Sequence, residues 1–281
     1  MKLVTYDGAN GFLSKLRMDR TGAKFYKLSS DLLYCFAHDK KLFLDRKIKS
    51  PILQPLFEKA ELLTDEIDKT KLMRLDGVRT TAYKLAHDIK LDLITYSKQN
   101  LDLKAKEPSQ IDFKTGQIVI HVRNGDVVNR PIYDGLKCHE YCKQMVEDGV
   151  TYNRNFMYQT CGPDDQCPTS ESALDKVLSE VCLKYPEKEV HFVSETKSVS
   201  LERYKNISKK YNIKFFSSDI NTDFYHLATA DVLIGSRSSF CIMALYHFTG
   251  KEFFYPYWGP YTCLGLGTKY DQTNYKPFRN I

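Results

Sequence analysis

The chain has no Gly-x-Gly-x-x-Gly segment, no Cys-x-x-Cys pair, no dense basic run and only one tryptophan in 281 residues. The missing glycine pattern argues against a dinucleotide-dependent oxidoreductase. "GANG" near the amino end lacks the spacing that brings backbone close to a pyrophosphate. No apolar run approaches the roughly 18–20 residues that a membrane helix needs, so no span is expected. "MKLVTYDGANGF" lacks the apolar core of an export signal, and a cytoplasmic location is the expectation. The 41 basic residues exceed the 35 acidic ones by six, but they are scattered in runs no denser than "DRKIKS". A nucleic-acid binder concentrates that charge on one stripe, so no nucleic-acid partner is expected. The 8 cysteines include "CHEYC" and "CGPDDQCP", whose spacing does not suit a zinc site, and reduced thiols are expected.

What remains is an ordinary globular composition, 42% hydrophobic and 27% charged, with 19 tyrosines and 16 phenylalanines. "SSDLLYCFAHDKK" reads as a capped helix and "LFLD" as a strand. "LFEKAELLTDEI" and "TAYKLAHDIKLDLITYS" carry helical periodicity. The polar stretch "KAKEPSQIDFKTG" then marks a boundary. Beyond it strands and helices alternate: "QIVIHV", "SESALDKVLSEVCLKYP", "EVHFVSE", "SLERYKNISKKYN", "IKFFSSD", "DFYHLATA", "DVLIG", "SSFCIMALYHFTG". That alternation predicts an α/β fold with a parallel sheet, whose ligands bind at the carboxyl ends of the strands. The expected division is an amino-terminal lobe over 1–112, a Rossmann-like α/β lobe over 113–250 and a tail over 251–281 that packs back on it.

Each apolar strand ends in polar residues. "IVIHV" delivers His121 and Arg123, then Gly125 and Asp126; "VHFV" delivers Ser194 and Glu195; "IKFF" delivers Ser217, Ser218 and Asp219; "DVLIG" delivers Ser236, Arg237, Ser238 and Ser239 before a helix. A serine-lined helix start offers unpaired N–H groups and hydroxyls to phosphate oxygens, and a guanidinium grips a diphosphate through two N–H groups at once. The same serines also suit a plain helix cap, and Asp126 suits a turn.

"HVRNGD" resembles the His-x-Arg-x-x-Asp signature of the α1,2-, α1,6- and protein-O-fucosyltransferase superfamily. "DLLYCFAHDKKLFLD", the stretch ending "KFFSSD" and "DFYHLATADVLIGSRSSFCIMALY" are similar to further blocks of that family, in short pieces between about residues 28 and 247. The resemblance implies a GT-B glycosyltransferase with two facing Rossmann-like lobes. It also implies metal-independent, inverting transfer from GDP-fucose to a glycan hydroxyl, and the absence of any Asp-x-Asp pair agrees with this. By position, Arg123 and His121 would hold the diphosphate with Ser238, Ser239 and the amide of Phe240. Asp219 would meet the guanine edge, and Glu195 falls where the family often has another acid. Asp126 is the first choice for the general base, with Asp7, Asp134 and His139 behind it. The chain departs from the pattern at Asn124, where the family has a second arginine, and at Pro131. These departures leave open a UDP-sugar donor such as UDP-xylose, and a non-catalytic binding protein. The aromatic "FFYPYWGPYTC" suits a sugar-lining loop or a packed tail.

Overall fold

The computed structural model describes residues 11–14, 21–45, 50, 52–67, 72–75, 101, 103–123, 168–195, 202–256 and 275–278. The chain divides into two compact units, Met1–Leu103 and Lys104–Ile281, each built on its own parallel sheet.

In the first unit, β1 (Gly11–Ser14) leads through α1 (Thr21–Ala37) to β2 (Lys41–Leu44), followed by α2 (Gln54–Phe57), β3 (Glu61–Leu62) and β4 (Leu72–Leu75). The sheet order is β3-β2-β1-β4, with every neighbouring pair parallel. Helix α1 starts well before the cap expected at Ser29–Asp31. Phe25, Leu28 and Leu32 extend its buried stripe toward the amino end. Asp31 is buried inside the helix and accepts from Lys27 one turn earlier, at 2.6 Å, instead of capping free amides. The helix expected over 56–67 is one short turn, and the chain then extends along the edge of β2, where Phe43 pairs with Glu61 and Leu44 with Leu62. Pairing with an open strand edge has overridden helical propensity there.

The second unit follows the expected alternation. Its elements are β5 (Ile118–His121), α3 (Glu171–Lys184), β6 (Val190–Val193), α4 (Lys205–Lys210), β7 (Lys214–Phe216), α5 (Ile220–Ala228), β8 (Val232–Ile234), α6 (Ser239–His247), β9 (Glu252–Pro256) and β10 (Tyr275–Phe278). The sheet order is β10-β9-β8-β5-β6-β7, all parallel. Counted from β5 this is the Rossmann order 3-2-1-4-5-6, in which the chain reverses direction between its first and fourth strands. Here that switch point lies between β5 and β8. The residues expected as a tail supply β9 and β10, and Pro277 is tolerated because β10 is the edge strand.

Strand alternation sorts the side chains. Ile118, Ile120 and Val122, with Val190, Phe192, Val232 and Ile234, form one core with Leu174, Val177, Leu178 and Val181 of α3. The intervening His121 and His191 therefore face the opposite side, where α5 and α6 pack. Helix α3 is stopped and started as its sequence demands. The Ser170 side chain accepts from the Ala173 amide at 3.2 Å, and Tyr185 and Pro186 follow its last turn.

Candidate functional site: the switch point of the second sheet

Because β8, β5, β6 and β7 are parallel neighbours, their carboxyl ends share one edge. His121 closes β5, and Ser236 lies two residues beyond β8. Their side chains meet across the switch point, His121 Nδ1 lying 2.7 Å from Ser236 Oγ. Both residues are buried. The His121 ring also lies 5.8 Å from the ring of Phe240, in the first turn of α6. The strand that bears Arg123 and the serine-rich loop ahead of α6 thus converge on one place. Burial, and then the neighbouring charge of Arg123, push the His121 imidazole down to about 3. It is neutral in the physiological range and offers one N–H, not a second positive charge.

The loop itself is tightly determined. The Gly235 amide donates to the Phe254 carbonyl and the Ser238 amide to the Ser236 carbonyl, both at 2.7 Å. Ser238 is the N-cap of α6, its hydroxyl accepting from the Phe240 amide at 3.2 Å. Ser239 and Phe240 are half-buried and open the helix. No acidic residue lies in the first turn of α6, so the positive end of its dipole is not offset by a side chain of its own. Arg237 lies between these serines and is only 2% exposed. Arg123 follows β5 and is half-buried.

Two of the expected residues sit further along the edge. Glu195 is exposed in the bend after β6, and its carbonyl accepts from Ser217 at 3.5 Å. Asp219, three residues beyond β7, caps α5. Its Oδ1 accepts from the Asn221 amide at 2.8 Å and the Thr222 amide at 3.3 Å, and the Thr222 hydroxyl donates to Oδ2 at 2.5 Å. The Thr222 hydroxyl, then the Asn221 amide, hold its carboxyl below the usual range. Asp219 and Thr222 line an open groove with residues 108–112, including Asp112. Asp223 is raised to about 6 by burial, which outweighs the Ser218 amide that it accepts, with the charges of Asp219 and Asp112 adding to the rise. One end of the sheet edge is therefore acidic, and the switch point carries Arg123, Arg237 and the open helix end.

Asp126, the expected base, lies outside the described residues, as do Asp7, Asp134, His139, Asn124, Pro131, Trp258 and the cysteines at 138, 142, 161 and 167. Among the described residues no group of three or more His, Cys, Asp or Glu is placed to hold a metal ion, and no helix is long and apolar enough to cross a membrane. Cys35, Cys182 and Cys241 are free thiols. The sequence placed Ser236 among the polar residues that follow β8 but showed neither its partner nor a separate role. Its signal was its place directly after Gly235, the residue that follows β8.

No family model and no curated protein matches the chain. Solved structures do. POFUT1 in complex with GDP is 11% identical with a TM-score of 0.44, over 96% of this chain and 99% of that one. The dodecameric iron-containing heptosyltransferase TibC, in complex with ADP-D-beta-D-heptose, is 11% identical with a TM-score of 0.41, over 88% of this chain and 58% of that one. Escherichia coli heptosyltransferase WaaC with ADP is 8% identical with a TM-score of 0.38, over 94% and 92%.

Proposed function

We propose that the chain is a glycosyltransferase that moves a sugar from a nucleotide-diphosphate donor to a glycan hydroxyl. The observation that carries this reading is the 2.7 Å contact between His121 and Ser236, which joins the arginine-bearing end of β5 to the serine-lined start of α6 at the switch point. In an open parallel sheet that crevice is the ligand site. Cationic and N–H-rich surroundings there suit a diphosphate, and the acidic groove at Asp219 suits the uncharged nucleoside.

Arg123 and His121 would grip the diphosphate from the β5 side, and Ser238, Ser239 and the start of α6 from the other. As the bond from sugar to phosphate breaks, negative charge gathers on the leaving diphosphate. These fixed donors stabilise it without reorganising. The acceptor hydroxyl attacks from the opposite face, inverting the anomeric centre, and gives its proton to a base. Asp126 is the residue we assign to that step, on its place in "HVRNGD". Transfer proceeds without a metal or other cofactor. A GDP-fucose-like donor follows from that motif and from Asp219, whose carboxylate matches the paired donors of guanine. A UDP-sugar is the second reading, favoured by the departures at Asn124 and Pro131.

The test is a thermal-shift screen against GDP-fucose, GDP-mannose, UDP-xylose and UDP-glucose, followed by calorimetry on Arg123→Ala. A true donor raises the melting temperature by mass action. Arg123→Ala abolishes transfer and weakens binding by about a hundredfold or more, as removal of a charge-assisted double contact predicts. Equal binding of GDP and UDP by wild type and Arg123→Ala overturns the diphosphate assignment.

A further inference from the structure

We propose that Ser236 is a positioning residue that fixes the proton of His121 on Nε2, so that the imidazole donates to the anionic ligand of the switch point. The inference rests on the diphosphate reading above and adds a residue and a proton position to it.

A neutral imidazole has one N–H and one lone pair, and the partner of one nitrogen decides the role of the other. His121 is neutral because it is 7% exposed and stands beside Arg123. Its Nδ1 lies 2.7 Å from Ser236 Oγ, so one of the two donates and the other accepts. If Nδ1 carried the proton, Nε2 would turn a lone pair toward a ligand rich in negative oxygens. If the serine hydroxyl donates to Nδ1, Nε2 carries the N–H, and the ring becomes a neutral donor to phosphate. A serine suits this duty because its hydroxyl rotates to donate, and here the backbone holds it in place. The Ser236 carbonyl accepts from the Ser238 amide, and the preceding Gly235 amide is tied to β9 through Phe254. The contact also links the end of β5 to the loop after β8, two strands already paired in register.

The experiment is nitrogen-15 NMR of the histidine rings in wild type, Ser236→Ala and Ser236→Thr, with His121→Asn used to assign the signal, and calorimetry with GDP on the same proteins. Wild type should show His121 protonated on Nε2 alone, without titration between pH 8 and pH 5. Ser236→Ala should show a mixture of tautomers and bind GDP about tenfold more weakly, the scale of one hydrogen bond in affinity. Ser236→Thr keeps the hydroxyl and should restore both, which a role in packing alone would not require. A His121 protonated on Nδ1 in wild type overturns the proposal, as does Ser236→Ala with unchanged tautomer and affinity. A wild-type protein with the Nε2 proton that binds no nucleoside diphosphate overturns the ligand reading and leaves the tautomer assignment standing, so the two failures are distinct.

Discussion

Asp219 performs two kinds of work that substitution can separate. It caps α5 through two backbone amides, and it borders the groove where a base would lie. Asparagine caps a helix about as well as aspartate, whereas alanine costs about 1 kcal/mol at such a position. Asp219→Asn should therefore unfold within about 0.5 kcal/mol of wild type and yet lose preference for GDP over UDP. Asp219→Ala should lose both. Thermal unfolding and competition calorimetry read the two effects. Unchanged GDP preference in Asp219→Asn would confine this residue to capping. The sequence placed Asp219 at the end of a strand segment but hid that it caps a helix, because "DFYHLATA" supplies its own acidic start four residues later at Asp223. His121 was legible as a strand-end polar group for a simple reason, a polar residue closing a β-branched run. Its partner was not, since Ser236 is distant in the chain and only strand order brings them together.

At the level of elements, Gly250 sets how closely the turn after α6 passes beneath β8. A Cβ there would fall 2.1 Å from the Ala230 carbonyl oxygen and 2.7 Å from that of Asp231. Both are backbone atoms, so the turn must move. Gly250→Ala should destabilise by about 1–3 kcal/mol, the range for forced overpacking, as measured by denaturant unfolding. At the start of α3, Ser170→Ala removes the hydroxyl that accepts from Ala173 and should cost about 1 kcal/mol. Much of the second unit could be read element by element because its central strands β5, β6 and β8 are buried on both faces and α3 and α6 carry serine caps. The first unit was less legible. Inside α1, the pairing of Lys27 with Asp31 turned a residue that looks like a cap into a buried partner. The brief strand β3 depends on the edge of β2, which no local pattern announces.

At the scale of the whole molecule, the buried histidines of the second unit, His121, His191 and His226, contribute to its response to acid. His191 Nε2 lies 3.0 Å from the Glu189 carboxylate, so it donates there, and its Nδ1 is left to accept from His226 Nε2 at 2.9 Å. Burial holds both imidazoles below the ordinary value, His226 at about 3, with the charge of His191 adding to the shift at His226. The unfolded chain takes up protons on its imidazoles below about pH 6.5, whereas the folded His121 and His226 do not until about 3. Stability is therefore whole above pH 6.5 and is lost as the pH falls toward 3, by at most about 1.4 kcal/mol per pH unit for each histidine. Asp223 runs the other way, because its folded value is raised to about 6, and it offsets part of that loss between about pH 6 and 4. The melting temperature should fall steadily across this window, and His226→Gln should flatten the slope. For turnover, a chelator in the assay should leave the rate unchanged; loss of activity restored by a divalent cation would remove metal independence from the proposed mechanism. The Phe113 ring stacks on His226 with centroids 3.6 Å apart and planes 4° from parallel. The stretch that leaves the first unit is thus a structural part of the second. A fragment trimmed to 113–250 would forfeit the wall at 108–112 and bare the outer edge of β8 by removing β9, inviting self-association; one that begins at Lys104 and runs to Ile281 keeps both.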